Sequence, residues 1–139
     1  MVRRALDAGR DPAGGPLVVV GHSLGSIAAY EVLREERRDV ELFVTVGSPL
    51  GITEIRDVLT EPPAVPDGVT AWCNASDLRD LVALDHTLRP EYAPAHLVSD
   101  HLVVNSSGNH HGIREYLAAG PVREPVRGLF SGLATGRTG

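Results

Sequence analysis

Short apolar runs alternate with segments of helical spacing along the chain. The run Leu17-Val18-Val19-Val20 is fully apolar, as expected for a strand that is covered on both faces. Apolar residues then recur at helical spacing and predict a helix over residues 24–37. Read in the same way, the rest of the chain predicts strands at 40–46, 69–74 and 102–105, and helices at 2–8, 52–59 and 112–119. Strands separated by helical segments predict an α/β fold of about four parallel strands with helices on both faces.

Three stretches outside these elements are predicted to be irregular. Residues 60–68 form a proline-rich loop, and residues 77–96 read mostly as loop. From Gly120 onward the chain is rich in glycine, proline and arginine, which predicts a flexible tail over residues 120–139. The sequence therefore predicts one folded domain over residues 1–119.

Composition narrows the function classes. The 139 residues are 42% apolar, which is typical of a globular protein, and carry a formal net charge of −5. Because basic residues are scattered among acids, no nucleic-acid partner is expected. Cys73 is the only cysteine, which excludes a disulfide within the chain and a Cys-x-x-Cys metal site. No apolar run resembles a signal peptide or approaches a membrane span, so we expect a cytoplasmic protein without a transmembrane segment.

The segment Gly21-His22-Ser23-Leu24-Gly25 joins the first predicted strand to the following helix. A Gly-x-Ser-x-Gly pattern in that setting is typical of a sharp turn that exposes a serine nucleophile. We expect a strained backbone at Ser23, with glycines on either side because a Cβ there would collide with the neighbouring chain. The helix start would aim the Leu24 N–H at an oxyanion formed beside Ser23.

A nucleophilic serine needs a histidine base and an acid that orients the base. In open parallel sheets these groups collect beyond the carboxyl ends of the strands. The third predicted strand leads into Asp77 and Asp80, and the fourth leads into His110 and His111. The order serine, acid, histidine is that of an α/β-hydrolase site, and the residues by themselves leave both acids and both histidines as candidates.

Together these motifs resemble the C-terminal half of an α/β-hydrolase of the lipase/esterase type. The resemblance spans residues 17–117 and is carried by Gly21-His22-Ser23-Leu24-Gly25, Val44-Thr45-Val46-Gly47-Ser48-Pro49-Leu50-Gly51, Trp72-Cys73-Asn74-Ala75-Ser76-Asp77-Leu78-Arg79-Asp80-Leu81-Val82-Ala83, and His110-His111 with Tyr116-Leu117. The chain is similar to a group of bacterial lipase-like hydrolases and, more distantly, to the class 3 lipases. The resemblance implies a serine hydrolase that cleaves carboxylic esters or lipids through an acyl-enzyme, without a cofactor. An acyltransferase would use the same residues.

The resemblance also selects among the candidates. Lipase-like members often carry an Asp-x-Val pattern after this strand, which favours Asp80 as the acid over Asp77. Their histidine stands about five residues before a Tyr-Leu or Tyr-aromatic pair, which favours His111 as the base over His110. His22 is expected to be a pocket or packing residue. No metal site is expected at the histidine pair, because adjacent side chains rarely converge on one ion.

The chain departs from that family in one respect. We expect the half of the sheet that would precede the nucleophile strand to be missing from this chain, together with the loop that supplies a second oxyanion N–H. The strand at Leu17-Val18-Val19-Val20 becomes an edge, and an exposed apolar edge predicts self-association. The alternative function is therefore a truncated, non-catalytic module, derived from a hydrolase, that acts in binding or assembly.

Overall fold

A computed structural model describes residues 1–105 and 108–134. Its centre is one sheet of four strands, and these are β1 (Val18–His22), β2 (Leu42–Val46), β3 (Trp72–Ser76) and β4 (Val98–Leu102). All neighbouring strands are parallel and follow the order β1-β2-β3-β4. The predicted α/β class with a four-stranded parallel sheet is confirmed.

Helices cover both faces of this sheet. They are α1 (Val2–Gly9), α2 (Leu24–Glu35), α3 (Thr53–Asp57), α4 (Ile113–Ala118) and α5 (Gly120–Ala134). On one face, α1 and α2 pack over a core that includes Tyr30, Phe43 and Trp72. On the other face, α4 and α5 pack over Val44 and Ala75. Since both faces are covered, apolar residues can occupy successive positions of β2, all of which are buried.

A row of polar side chains crosses the sheet inside the first core. Thr45 lies opposite Asn74, which lies opposite Asp100 on β4. Thr45 Oγ1 donates to Asn74 Oδ1 at 2.8 Å, and Asn74 Nδ2 donates to Asp100 Oδ1 at 3.0 Å. Asp100 in turn accepts the backbone N–H groups of Leu88 and Arg89, each at 2.9 Å. This row ties the long connection between β3 and β4 to the sheet, because buried polar groups need such partners.

The position of β4 differs from the prediction. The fourth strand was expected at residues 102–105, and it lies at Val98–Leu102. The hydrophobic pattern did not predict this strand, because its three central residues, Ser99, Asp100 and His101, are polar. They are tolerated because β4 pairs only with β3 in the described part of the chain and because Asp100 is bonded to Asn74.

The prediction of a flexible tail from Gly120 is wrong for residues 120–134, which form α5. Val122 is 1% exposed and packs with Val126 and Leu129 against the second core. Pro125 removes a helical N–H, which frees the Pro121 carbonyl, and the Cys73 thiol donates to that carbonyl at 3.4 Å. Burial raises the pKa of the Cys73 thiol to about 11, so it remains a protonated donor. Residues 135–139 lie outside the described residues.

The outer edge of β1 is open. Among the described residues β1 pairs with β2 alone, and Val20 is 40% exposed. A groove of about 350 Å³ follows this edge between α1 and Phe130 of α5. The expected apolar strand edge is therefore present. None of the described helices is long and apolar enough to cross a membrane.

Candidate active site

Ser23 occupies the sharp turn between β1 and α2. Its φ of +56° and ψ of −131° lie in a region of backbone conformation that residues other than glycine rarely adopt. The Ser23 N–H donates to Val46 O at 3.2 Å, so the turn rests against the carboxyl end of β2. These angles agree with the strained serine that the motif predicts.

The two glycines of the motif differ in their surroundings. A Cβ on Gly21 would lie 2.6 Å from the Cα of Ser26, a contact that no side chain tolerates without backbone movement. A Cβ on Gly25 would meet nothing within 4 Å among the described residues. The expected crowding therefore holds for Gly21 and is wrong for Gly25, because none of the described segments packs against that side of α2.

Two buried serines support the turn from below. Ser26 Oγ donates to the Ser23 carbonyl at 2.5 Å and lies 2.6 Å from Ser48 Oγ. Ser48 Oγ also accepts the Leu50 N–H at 3.2 Å. The hydroxyl pair thus joins the Ser23 turn to the Gly47-Ser48-Pro49 turn that ends β2.

Asp80 and His111 form the closest carboxylate–imidazole pair. Asp80 Oδ2 lies 2.7 Å from His111 Nδ1, and the Asp80 side chain is fully buried. The carboxylate also accepts the Tyr116 hydroxyl at 2.6 Å and the Val82 N–H at 3.0 Å. Burial raises the pKa of Asp80, but these hydrogen bonds outweigh it and hold the pKa below its usual value. Because an ionised carboxylate only accepts, His111 Nδ1 donates, and its Nε2 is left as the basic nitrogen.

Gly47 forms the floor between this pair and the serine turn. Its φ is +54°, and a Cβ there would lie 2.7 Å from Asp80 Oδ2 and 2.9 Å from His111 Nδ1. Val46, the preceding residue, accepts the Ser23 N–H. Ser23, Asp80 and His111 therefore all border the carboxyl end of β2, where the chemistry of a parallel sheet is expected.

The second pair, Asp77 and His110, is built differently. His110 Nδ1 lies 3.7 Å from Asp77 Oδ2, which is longer than a hydrogen bond. Asp77 is buried and accepts hydrogen bonds from the Arg79 side chain, the Arg79 N–H and the Asn105 N–H. The Arg79 guanidinium is the main cause that holds the pKa of Asp77 well below its usual range. Asp77 therefore organises the loop after β3, as a loop-capping aspartate does.

Tyr116 is a site residue that sequence reasoning missed. It is fully buried on α4, and its hydroxyl donates to Asp80 while accepting the Asp77 N–H at 2.9 Å. Burial and the bond to Asp80 raise the pKa of Tyr116, so it remains a donor. The only signal was its place five residues after His111, which served to choose the histidine. Gly47 and Ser48 were missed similarly, because the segment Gly47-Ser48-Pro49 was used only to end a strand and to support the family resemblance, without a role at the site.

The Leu24 N–H is the first amide of α2. An amide at that position has no carbonyl partner within its helix, so it can donate to an anion beside Ser23. In the described part of the chain, no group of three His, Cys, Asp or Glu side chains is placed to hold a metal ion. The groups that this site offers are thus a serine hydroxyl on a strained backbone turn, an imidazole–carboxylate pair and the first amide of a helix.

The different surroundings of the two glycines predict different stabilities for two matched variants. Gly21→Ala places a Cβ against the Ser26 backbone and should destabilise the fold by about 1–3 kcal/mol. Gly25→Ala meets open space inside a helix and should be neutral or stabilising by up to about 1 kcal/mol. Urea unfolding measures both. Equal destabilisation by the two variants would contradict the open space beside Gly25.

The depressed pKa of Asp77 predicts an acid-dependent contribution to stability. The pKa of Asp77 in the folded chain lies below the usual value of 3.8. Between these two pKa values the unfolded chain binds more protons than the folded chain, so the stability of the fold rises with pH. Asp77→Asn should therefore destabilise at neutral pH, and the difference from the native chain should shrink toward about pH 2. Urea midpoints across this range measure it, with Asp67→Asn at an exposed position as control. A difference that does not change with pH would contradict the role of the Asp77 charge.

The site therefore brings Ser23, Asp80 and His111 to one end of β2, whereas Asp77 organises the adjoining loop and His110 lies beyond hydrogen-bond distance of Asp77. Comparisons of the chain with protein-family models, with curated proteins and with solved structures gave no significant match. The function is accordingly inferred from the chemistry of these residues.

Proposed function

We propose that the protein is a serine hydrolase of carboxylic esters, of the α/β-hydrolase type. The observation that supports this most is the buried Asp80 carboxylate bonded to His111 Nδ1 at 2.7 Å, beside the strained turn of Ser23. A carboxylate that holds one imidazole nitrogen leaves the other free as a general base. A serine on a strand-to-helix turn offers the hydroxyl that such a base activates.

In the proposed reaction, Ser23 Oγ attacks the ester carbonyl carbon while its proton passes to Nε2 of His111. The Leu24 N–H donates to the oxyanion, and Asp80 stabilises the imidazolium. The imidazolium then protonates the departing alcohol as the carbon–oxygen bond breaks, leaving an acyl-serine. Water attacks this ester with His111 as the base again, which releases the acid and restores the Ser23 hydroxyl.

The substrate class follows from the groups that are present. A single assigned oxyanion amide, at Leu24, favours an activated ester over an amide, because ester leaving groups need less transition-state stabilisation. Removal of one oxyanion donor reduces turnover by roughly 10²–10³-fold, so slow turnover is expected if Leu24 acts alone. A short p-nitrophenyl ester is therefore the appropriate reporter substrate.

Labelling by a fluorophosphonate tests the nucleophile and the base together. The probe should label the native chain, and Ser23→Ala should abolish labelling, whereas Ser131→Ala on the exposed side of α5 should not. His111→Gln should slow labelling by at least about a hundredfold, because it removes the general base. His110→Gln is the matched control and should label at close to the native rate.

The outcomes separate the assignments. Labelling that survives Ser23→Ala would exclude Ser23 as the nucleophile. Slow labelling of His110→Gln together with native labelling of His111→Gln would transfer the base to His110. No labelling of the native chain, with no hydrolysis of the short ester, would overturn the hydrolase proposal.

The open edge of β1 supports a second function, in assembly through a second copy of the chain. In the described structure, the backbone groups on the outer edge of β1 have no neighbouring strand. Val20 is exposed there, and a groove runs beside it. Two identical edges related by a two-fold axis would pair as antiparallel strands, which is a self-complementary contact. Apolar edges of this kind associate unless a charge interrupts them.

Sedimentation velocity over a range of concentrations tests the assembly. The native chain should sediment as a dimer or larger species, and Val20→Lys should shift it to the monomer. Val58→Lys is the control, because Val58 is 78% exposed after α3 and does not line the groove. A native chain that is monomeric at all concentrations would exclude self-association through β1.

A further inference from the structure

His22 lies directly before Ser23 and contacts the histidine of the candidate site. Its Nε2 is 2.6 Å from the carbonyl oxygen of His111. The two imidazole rings are 4.7 Å apart at their centroids and are tilted by 35°. Because a carbonyl oxygen only accepts, Nε2 of His22 carries the proton and donates it. A pocket or packing role, as expected from the sequence, does not account for this hydrogen bond.

His111 needs such a contact because it belongs to no helix or strand. It lies in the connection between β4 and α4, two residues before α4 begins. Its side chain is bonded to Asp80 through Nδ1, which fixes one ring atom but allows the ring to turn about that bond. A second contact on the backbone and on the ring face removes this freedom. His22 supplies both, through the hydrogen bond and the neighbouring ring.

We propose that His22 is a positioning residue that holds His111 oriented toward Ser23. The proposal rests on the hydrolase function argued above. His22 is the last residue of β1 and is fixed by its pairing with Val46 on β2. It therefore transmits the position of the rigid sheet to a histidine on a loop. The hydrogen bond from His22 holds the backbone carbonyl of His111, and the hydrogen bond to Asp80 holds Nδ1 of its ring. With both ends of the residue held, the imidazole keeps one orientation.

Three substitutions separate the hydrogen bond from the ring contact. His22→Gln places an amide N–H as many bonds from the Cβ as Nε2 and keeps the donor without the ring. His22→Phe keeps a flat ring of similar size without the donor. His22→Asn places its donor at the position of Nδ1, too short to reach the His111 carbonyl. A role that depends on the donor should be rescued by Gln alone.

The experiment measures the rate of fluorophosphonate labelling at Ser23, together with the NMR resonance of the His111 Nδ1 proton. His22→Phe and His22→Asn should label about tenfold to a hundredfold more slowly, because small misplacements of a catalytic group have effects of this size. Their Nδ1 proton resonance should broaden by exchange. His22→Gln should label within about threefold of the native rate and keep a sharp resonance.

The two measurements distinguish this proposal from the hydrolase proposal. If the native chain is not labelled, the hydrolase function fails, and a broadened His111 resonance in His22→Phe still supports the positioning role. Native labelling with equal rates in all three variants would overturn the positioning role. A variant set in which Phe is native-like and Gln is slow would assign the positioning to the ring contact and would overturn the role of the hydrogen bond. Circular dichroism of each variant identifies loss of fold, and the Gln and Phe pair decides the question if Asn does not fold.

Discussion

The Asp80 carboxylate is inaccessible to solvent, and much of the candidate site is arranged around its charge. A buried ion is costly unless several donors compensate it. Asp80 has three, and they come from different parts of the chain: the Val82 amide in its own loop, the Tyr116 hydroxyl on α4 and the His111 ring. These bonds draw the loop after β3, the loop after β4 and the helix that follows it into one unit. The hydrogen bonds that keep Asp80 ionised thus also set the tautomer of His111.

A similar compensation stabilises the serine turn. A residue in the region of φ +56° carries a strain of about 1–3 kcal/mol and persists only when its surroundings hold it. Here the Ser23 amide bonds to Val46, and its carbonyl bonds to the Ser26 hydroxyl, which in turn contacts Ser48. All of these partners lie in α2 or at the end of β2. The strained turn and the imidazole–carboxylate pair therefore share one support, the carboxyl end of the central strand β2.

The hydrolase and assembly proposals meet at β1. Among the described residues, the strand that leads into Ser23 has an open edge, and Gly25 of the following helix has open space beside it. A chain that pairs with this edge would lie close to the serine turn, where the Leu24 amide is the single assigned oxyanion donor. Under the two proposals, assembly at the edge would therefore take place next to the chemistry at the turn, because Val20 lies two residues before His22.

Local pattern by itself determined the parallel α/β class, the turn at Ser23 and the placement of candidate acids and histidines after predicted strands, because each depends on residues a few positions apart. It did not determine which acid meets which histidine. Asp80 and His111 are separated by 31 positions, and their pairing follows from Arg79 occupying Asp77 and Tyr116 reaching Asp80. The motif resemblance had favoured the same pair. The glycines and prolines of α5 predicted a flexible tail, and this prediction was wrong. The helix is stabilised by the burial of Val122 and by the hydrogen bond from Cys73 to the Pro121 carbonyl, and these contacts form only when the sheet is assembled. Long-range packing and hydrogen bonding decided these features because the free energy of burial depends on partners that are distant in sequence.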